Sequence, residues 1–124
     1  MKVLVVDDEK DVQVLFQQRF RKEIKSEIIK FVFAFSGEEA VEMLDAMKQE
    51  AILILSDINM PGMSGLELLA HIKRNFEKPS PIVMMITAYG DDENRLTAKR
   101  LGADEFLTKP LDFILLKDKL KNLN

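Results

Sequence analysis

Ile52-Leu-Ile-Leu-Ser-Asp-Ile-Asn-Met-Pro-Gly-Met-Ser-Gly65 opens on an unbroken apolar run and then turns abruptly polar and turn-prone. A strand with one wet face alternates apolar and polar residues. A run that is apolar at every position suits a strand covered on both faces, as in a parallel sheet with helices on each side. Val3-Leu-Val-Val6 and Ile82-Val-Met-Met-Ile86 read the same way. Ile29-Lys-Phe-Val-Phe33 and Glu105-Phe-Leu-Thr108 are β-prone but interrupted by polar residues, which is the pattern of less buried edge strands. Five strands are expected, two of them at edges.

Stretches of helical period lie between the strands. Val12, Leu15, Phe16 and Phe20 form one stripe; Ala40, Val41, Leu44 and Met47 form a second. Leu66, Leu69 and Ala70 form a third, and Phe113, Leu116, Leu120 and Leu123 a last. Ser36 with Glu39 and Ser64 with Glu67 have the spacing of capping boxes, and Asp112 is placed to cap the final helix. Asp92 to Leu101 is the least amphipathic segment, with Arg95, Lys99 and Arg100 around Leu96, and Gly102 marks its end. The β-α order repeats five times, which predicts an α/β fold with right-handed crossovers and helices on both faces.

A chain of 124 residues at 47% hydrophobic predicts one domain, residues 1–124, with a core that needs no disulfide. The formal charge of −3 excludes a basic nucleic-acid footprint. No apolar run approaches the ~20 residues of a membrane span, and cysteine is absent, so a soluble cytoplasmic protein is expected. The methionines read as core filling, with Met60 and Met63 expected to be partly exposed in the loop after Asp57.

The chemistry collects at strand ends. Asp7 and Asp8 follow the first strand, Asp57 the third, Thr87 ends the fourth and Lys109 follows the fifth. In a parallel sheet those carboxyl ends share one edge, where open α/β folds bind ligands. Three carboxylates brought together repel unless a cation neutralises them, and an all-oxygen donor set suits Mg²⁺ or Mn²⁺. Lys109 and Thr87 suit the equatorial oxygens of a phosphoryl group, and Asp57 is a carboxylate nucleophile able to form an aspartyl phosphate. His71, the single histidine, reads as a solvated helix residue remote from that edge.

Asp7-Asp8, the run Asp57-Ile-Asn-Met-Pro-Gly-Met-Ser-Gly65, Thr87-Ala88 and Lys109-Pro110 together resemble the signature of the receiver domain of two-component response regulators, the CheY-like family. The resemblance spans essentially the whole chain. It implies a flavodoxin-like three-layer (βα)5 sandwich with strand order 2-1-3-4-5. It implies that Asp57 is the phosphoacceptor, that Asp7, Asp8, Asp57 and the Asn59 carbonyl organise a Mg²⁺ site, and that Lys109 and Thr87 meet the phosphoryl group. It also implies a cis Lys109-Pro110 peptide, and a switch made of Thr87, Phe106 and Tyr89. A histidine kinase or phosphotransfer protein would be the donor. The output partner or domain would engage the 92–123 face, and the chain would be a monomer or a phosphorylation-dependent dimer. The stretch from Asp8 to Gly37 is a few residues longer than in the most compact receivers.

Two other readings compete. A haloacid dehalogenase-type phosphatase resembles a different motif, with an acid/base aspartate two residues after its nucleophile. Asn59 stands in that place here, so turnover of external esters is not expected and the chain would catalyse only its own phosphorylation and dephosphorylation. A phosphorylation-independent binding module normally shows a lost aspartate, threonine or lysine, and all are retained.

Overall fold

The computed structural model describes residues 1–47, 53–76 and 80–123. Its strands are β1 (Lys2–Val6), β2 (Lys30–Ala34), β3 (Leu53–Asp57), β4 (Ile82–Thr87) and β5 (Glu105–Thr108). They form one parallel sheet of order β2-β1-β3-β4-β5, as the family resemblance implies. The β3 run was expected to begin at Ile52, which lies outside the described residues; the strand continues through Ser56 to Asp57.

Period-2 alternation along the buried strands divides the core in two. Val3, Val5, Leu53, Leu55, Met84 and Ile86 pack against Phe16, Phe20, Leu116 and Leu120. Leu4, Val6, Ile54, Val83 and Met85 point the other way, toward Ala40, Leu44, Leu68, Leu69, Ile72 and Ala98. Helices α1 (Asp11–Arg19) and α6 (Phe113–Lys121) therefore cover one face, and α3 (Gly37–Met47), α4 (Gly65–Asn75) and α5 (Asp92–Arg100) the other. Burial on both faces is why the central strands had to be apolar at consecutive positions.

Among the described residues six helices stand where five were expected. The first helical stripe breaks at Phe20, whose backbone (φ −106°, ψ 23°) leaves the helical region, and the short α2 (Arg21–Lys25) follows. Phe16 and Phe20, four residues apart and so on one helical face, both reach the inner side, where their rings meet Phe31 and Phe113 edge to face. The short α2 lies within the stretch between Asp8 and Gly37. Leu15, expected on the stripe, is exposed.

Other details shift as well. In α4 the buried line is Gly65, Leu68, Leu69 and Ile72, so Leu66 and Ala70 flank the face rather than define it. In α5 Ala98 is the buried residue and Leu96 is exposed. Met60 is buried against the α3–α4 side, correcting the expectation of exposure, while Met63 is partly buried. The expected caps form: Ser36 Oγ accepts the Glu39 N–H (3.0 Å), Ser64 Oγ the Glu67 N–H (3.2 Å), and Asp112 the Ile114 and Leu115 N–H groups (3.0 and 3.1 Å). Among the described residues no helix is long and apolar enough to cross a membrane.

Candidate functional site

Strand order places the site. The chain leaves β1 toward β2 on one side and returns to β3 on the other, so a crevice opens at the carboxyl ends of β1 and β3, where the connections diverge. Asp7 and Asp8 leave β1 there, and Asp57 ends β3. One oxygen from each of Asp7, Asp8 and Asp57 lies within 4.8 Å of the others. Asp7 (4% exposed) and Asp57 (5%) are buried, while Asp8 is exposed.

Each buried carboxylate is oriented by the chain beside it. Asp7 Oδ1 accepts the Glu9 N–H at 2.9 Å, an Asx-type turn that starts the path to α1. Asp57 Oδ1 accepts the Asn59 N–H at 3.3 Å, and its carbonyl accepts the Ser56 hydroxyl at 3.0 Å. On the far side the Lys109 N–H donates to the Thr87 carbonyl (2.9 Å), which holds the loop after β5 against β4. The Lys109 ammonium then reaches Asp57 Oδ2 at 2.7 Å and lies 3.8 Å from Asp7 Oδ2. The Lys109-Pro110 peptide is cis, in accord with the family pattern.

Electrostatics mark the cluster as charge-poor in cations. Burial raises the Asp7 carboxyl above the usual carboxylate range, and the Glu9 N–H and the Lys109 charge offset this only partly. Burial alone would lower the Lys109 ammonium, but the hydrogen bond to Asp57 and the charges of Asp57, Asp7 and Glu9 outweigh it and raise it. Three carboxylates against one lysine leave about two negative charges uncompensated, the charge of one hard divalent cation. The all-oxygen donors Asp7, Asp8 and Asp57 fit such an ion.

Thr87 is buried one residue beyond Ile86, the partner of Asp57 across the β3–β4 pair, and its hydroxyl makes a long contact, 3.5 Å, to the Leu107 carbonyl. Phe106 is half-buried against the core, with the Arg95 guanidinium 5.1 Å from its ring centroid. Tyr89 is 90% exposed. Asn59 has its side chain in solvent and meets Asp57 through its backbone N–H. His71 bonds Asn75 on α4, away from the site. Gly65, read from the sequence as a turn residue at the end of the signature run, has its Cα so close to the Asp57 carbonyl that any Cβ would collide with it. The Pro-Gly-x-x-Gly spacing was a signal of a turn, but the close approach is a tertiary fact.

The family model described as "Response regulator receiver domain" matches residues 3–121. Among solved structures, a response regulator receiver domain protein from Clostridium thermocellum superposes with a TM-score of 0.83 at 26% identity, covering 98% of this chain and 91% of that one. The receiver domain of a Francisella response regulator gives 0.80 at 28% identity, over 98% and 94% of the two chains. The Vibrio cholerae chemotaxis protein CheY4 gives 0.82 at 25% identity, over 99% and 98%.

Proposed function

The chain belongs to the response regulator receiver domain family, and from that premise we propose that it is the phosphoacceptor switch of a two-component phosphorelay, with Asp57 as the residue phosphorylated. Receiver domains are signalling switches rather than classical enzymes, typically bind Mg²⁺ in an acidic pocket, and work with kinases or output domains. The observation that carries the assignment to Asp57 is its place in the crevice, buried, with the Lys109 ammonium 2.7 Å from Oδ2 and two further carboxylates within 4.8 Å.

In the proposed reaction an Asp57 carboxylate oxygen attacks the phosphorus of a phosphohistidine on a histidine kinase or phosphotransfer protein. The O–P bond forms, the P–N bond breaks, and the imidazole leaves with the electron pair and takes a proton from solvent. Asp7, Asp8, Asp57 and the Asn59 carbonyl would hold Mg²⁺, or Mn²⁺, which when bound neutralises the pocket and stabilises charge on the phosphoryl oxygens. The Lys109 ammonium, 2.7 Å from Asp57 Oδ2, would meet those oxygens, and Thr87 would exchange its long contact to Leu107 for one of them. Asn59, which has no titratable proton, stands two positions after Asp57 where an acid/base residue would be needed, so catalysis would extend only to the protein's own phosphorylation and dephosphorylation.

Movement of Thr87 toward a phosphoryl group would open space for Phe106 and shift the loop of Tyr89. The signal would leave through the face built from α5, β5 and α6, residues 92–123, where Leu96 and Ile114 are exposed. That face would serve an output partner or domain, the chain acting in the cytoplasm as one domain over residues 1–124, as a monomer or a phosphorylation-dependent dimer.

The test is labelling by acetyl phosphate with Mg²⁺. One acid-stable, base-labile phosphoryl group is expected on the parent and none on Asp57→Asn; undiminished labelling of that variant with the same lability would overturn the assignment.

A further inference from the structure

The loop from Ile58 to Ser64 links Asp57 to α4 and carries Asn59; the Ile58 N–H donates to the Ile86 carbonyl (3.2 Å) and the Asn59 N–H to Asp57 Oδ1 (3.3 Å) at its start, and two further anchors hold its far end. One anchor is its own: the Gly65 N–H donates to the Ile58 carbonyl at 2.8 Å, and Gly65 abuts the Asp57 backbone. The other comes from elsewhere in the chain. Glu38, in the first turn of α3, reaches across so that both carboxylate oxygens accept the Met63 N–H, at 3.3 and 3.4 Å.

The surfaces around this contact interlock. Gly62, at φ +72°, presents its bare Cα to the carboxylate; a Cβ there would sit 2.6 Å from Glu38 Oε2. Gly37 does the same from the α3 side, where a Cβ would come within 2.8 Å of the Met63 side chain. Two glycines thus allow the start of α3 to close on the loop, and Glu38 supplies the polar tie. Glu38 itself lies outside the acidic cluster formed by Asp7, Asp8 and Asp57.

We propose that Glu38 is a positioning residue for the phosphoacceptor loop: by holding the Met63 N–H it sets where Asn59 and the loop backbone lie against Asp57 and the carboxylate pocket. The inference rests on the reading of that pocket given above. A purely structural role is the alternative, because a carboxylate in the first turn of a helix also favours the helix dipole. The two separate by charge and acceptor. Glu38→Gln keeps an acceptor oxygen and loses the charge, whereas Glu38→Ala loses both. Glu42→Ala, an exposed change one turn further along α3, serves as the control.

The full chain and these variants are titrated with magnesium chloride without any phosphodonor, following the amide shifts of Asn59 and Met63. Glu38→Ala should move the Met63 amide resonance and weaken Mg²⁺ binding about 3- to 10-fold, the scale of one partly exposed hydrogen bond. Glu38→Gln should stay within about 2-fold of the parent, and Glu42→Ala should match it. Should Glu38→Ala fail to fold, Glu38→Asp, one methylene short of the loop, replaces it under the same criteria. Parent-like Mg²⁺ affinity in Glu38→Ala overturns the proposal, and so does equal weakening in Glu38→Gln, which would assign the effect to helix charge. A parent that neither binds Mg²⁺ nor accepts phosphate brings down the reading of the pocket and this inference with it.

Discussion

Replacing Asp7 by asparagine should stabilise the metal-free protein at neutral pH while removing most of its response to Mg²⁺. Asp7 is buried, 3.8 Å from the Lys109 ammonium and within 4.8 Å of the carboxylates of Asp8 and Asp57. At an effective dielectric of about 20, each repulsion at that limit costs roughly 3.5 kcal/mol and the lysine attraction returns about 4.4 kcal/mol. Water around the exposed Asp8 screens its repulsion and leaves attraction and repulsion near balance, so burial of the charge, the largest cause of the raised Asp7 pKa, decides the sign, and the variant should gain about 1 to 2 kcal/mol. The amide oxygen of asparagine can still accept the Glu9 N–H, so the turn is kept.

The sign of the pH dependence follows from the same burial. The folded-state pKa of Asp7 lies above its ordinary 3.8, so the folded protein holds this proton more tightly than the unfolded chain. Stability from that proton is fully present below 3.8 and is lost as pH rises through the folded pKa. Urea unfolding in EDTA should therefore show the variant more stable at neutral pH and the difference closing as pH falls toward 3.8. With Mg²⁺ at 100 times its dissociation constant the parent should gain about 2.7 kcal/mol, and the variant much less. An Asp7→Asn protein less stable than the parent at neutral pH in EDTA would refute the reasoning, because it would mean that Lys109 and the Glu9 N–H more than offset burial and repulsion.

Lys109→Ala should slow labelling and destabilise the fold by about 1 to 2 kcal/mol, between the values for exposed and buried ion pairs because the ammonium is partly exposed. The parent's Lys109 contribution is present below pH 10.5 and lost above it as the ammonium titrates, so the parent alone should show that alkaline limb; identical melts of both proteins at neutral and alkaline pH would exclude it. Gly65→Ala must displace the Asp57 carbonyl, so labelling should fall by an order of magnitude or more, with about 1 to 3 kcal/mol lost in a urea titration; parent-like values would show that the loop yields freely. Beryllofluoride with Mg²⁺ should shift the amides of Tyr89, Leu96 and Phe106 far more than those of residues 12–20, and the reverse pattern would move the output face to α1.

The sequence alone determined the architecture because both-face burial leaves a local signature. Val3 to Val6, Leu53 to Leu55 and Ile82 to Ile86 had to be apolar at every position, and serines and aspartates three residues ahead of helix interiors had to mark the starts. Parallel pairing then forced Asp7, Asp57, Thr87 and Lys109 to one edge, which is why the site residues were legible from spacing. Tertiary structure decided what depends on packing between distant segments. The helix breaks at Phe20 with no proline or glycine there to announce it, and Met60 is buried because it packs into the core shared with α3 and α4. Lys109 bonds Asp57, 52 positions away, more closely than Asp7, and Glu38 ties a loop 25 positions away. Local periodicity encodes which face a residue presents; it carries no record of which distant atom will meet it, since that distance is fixed only when the layers pack.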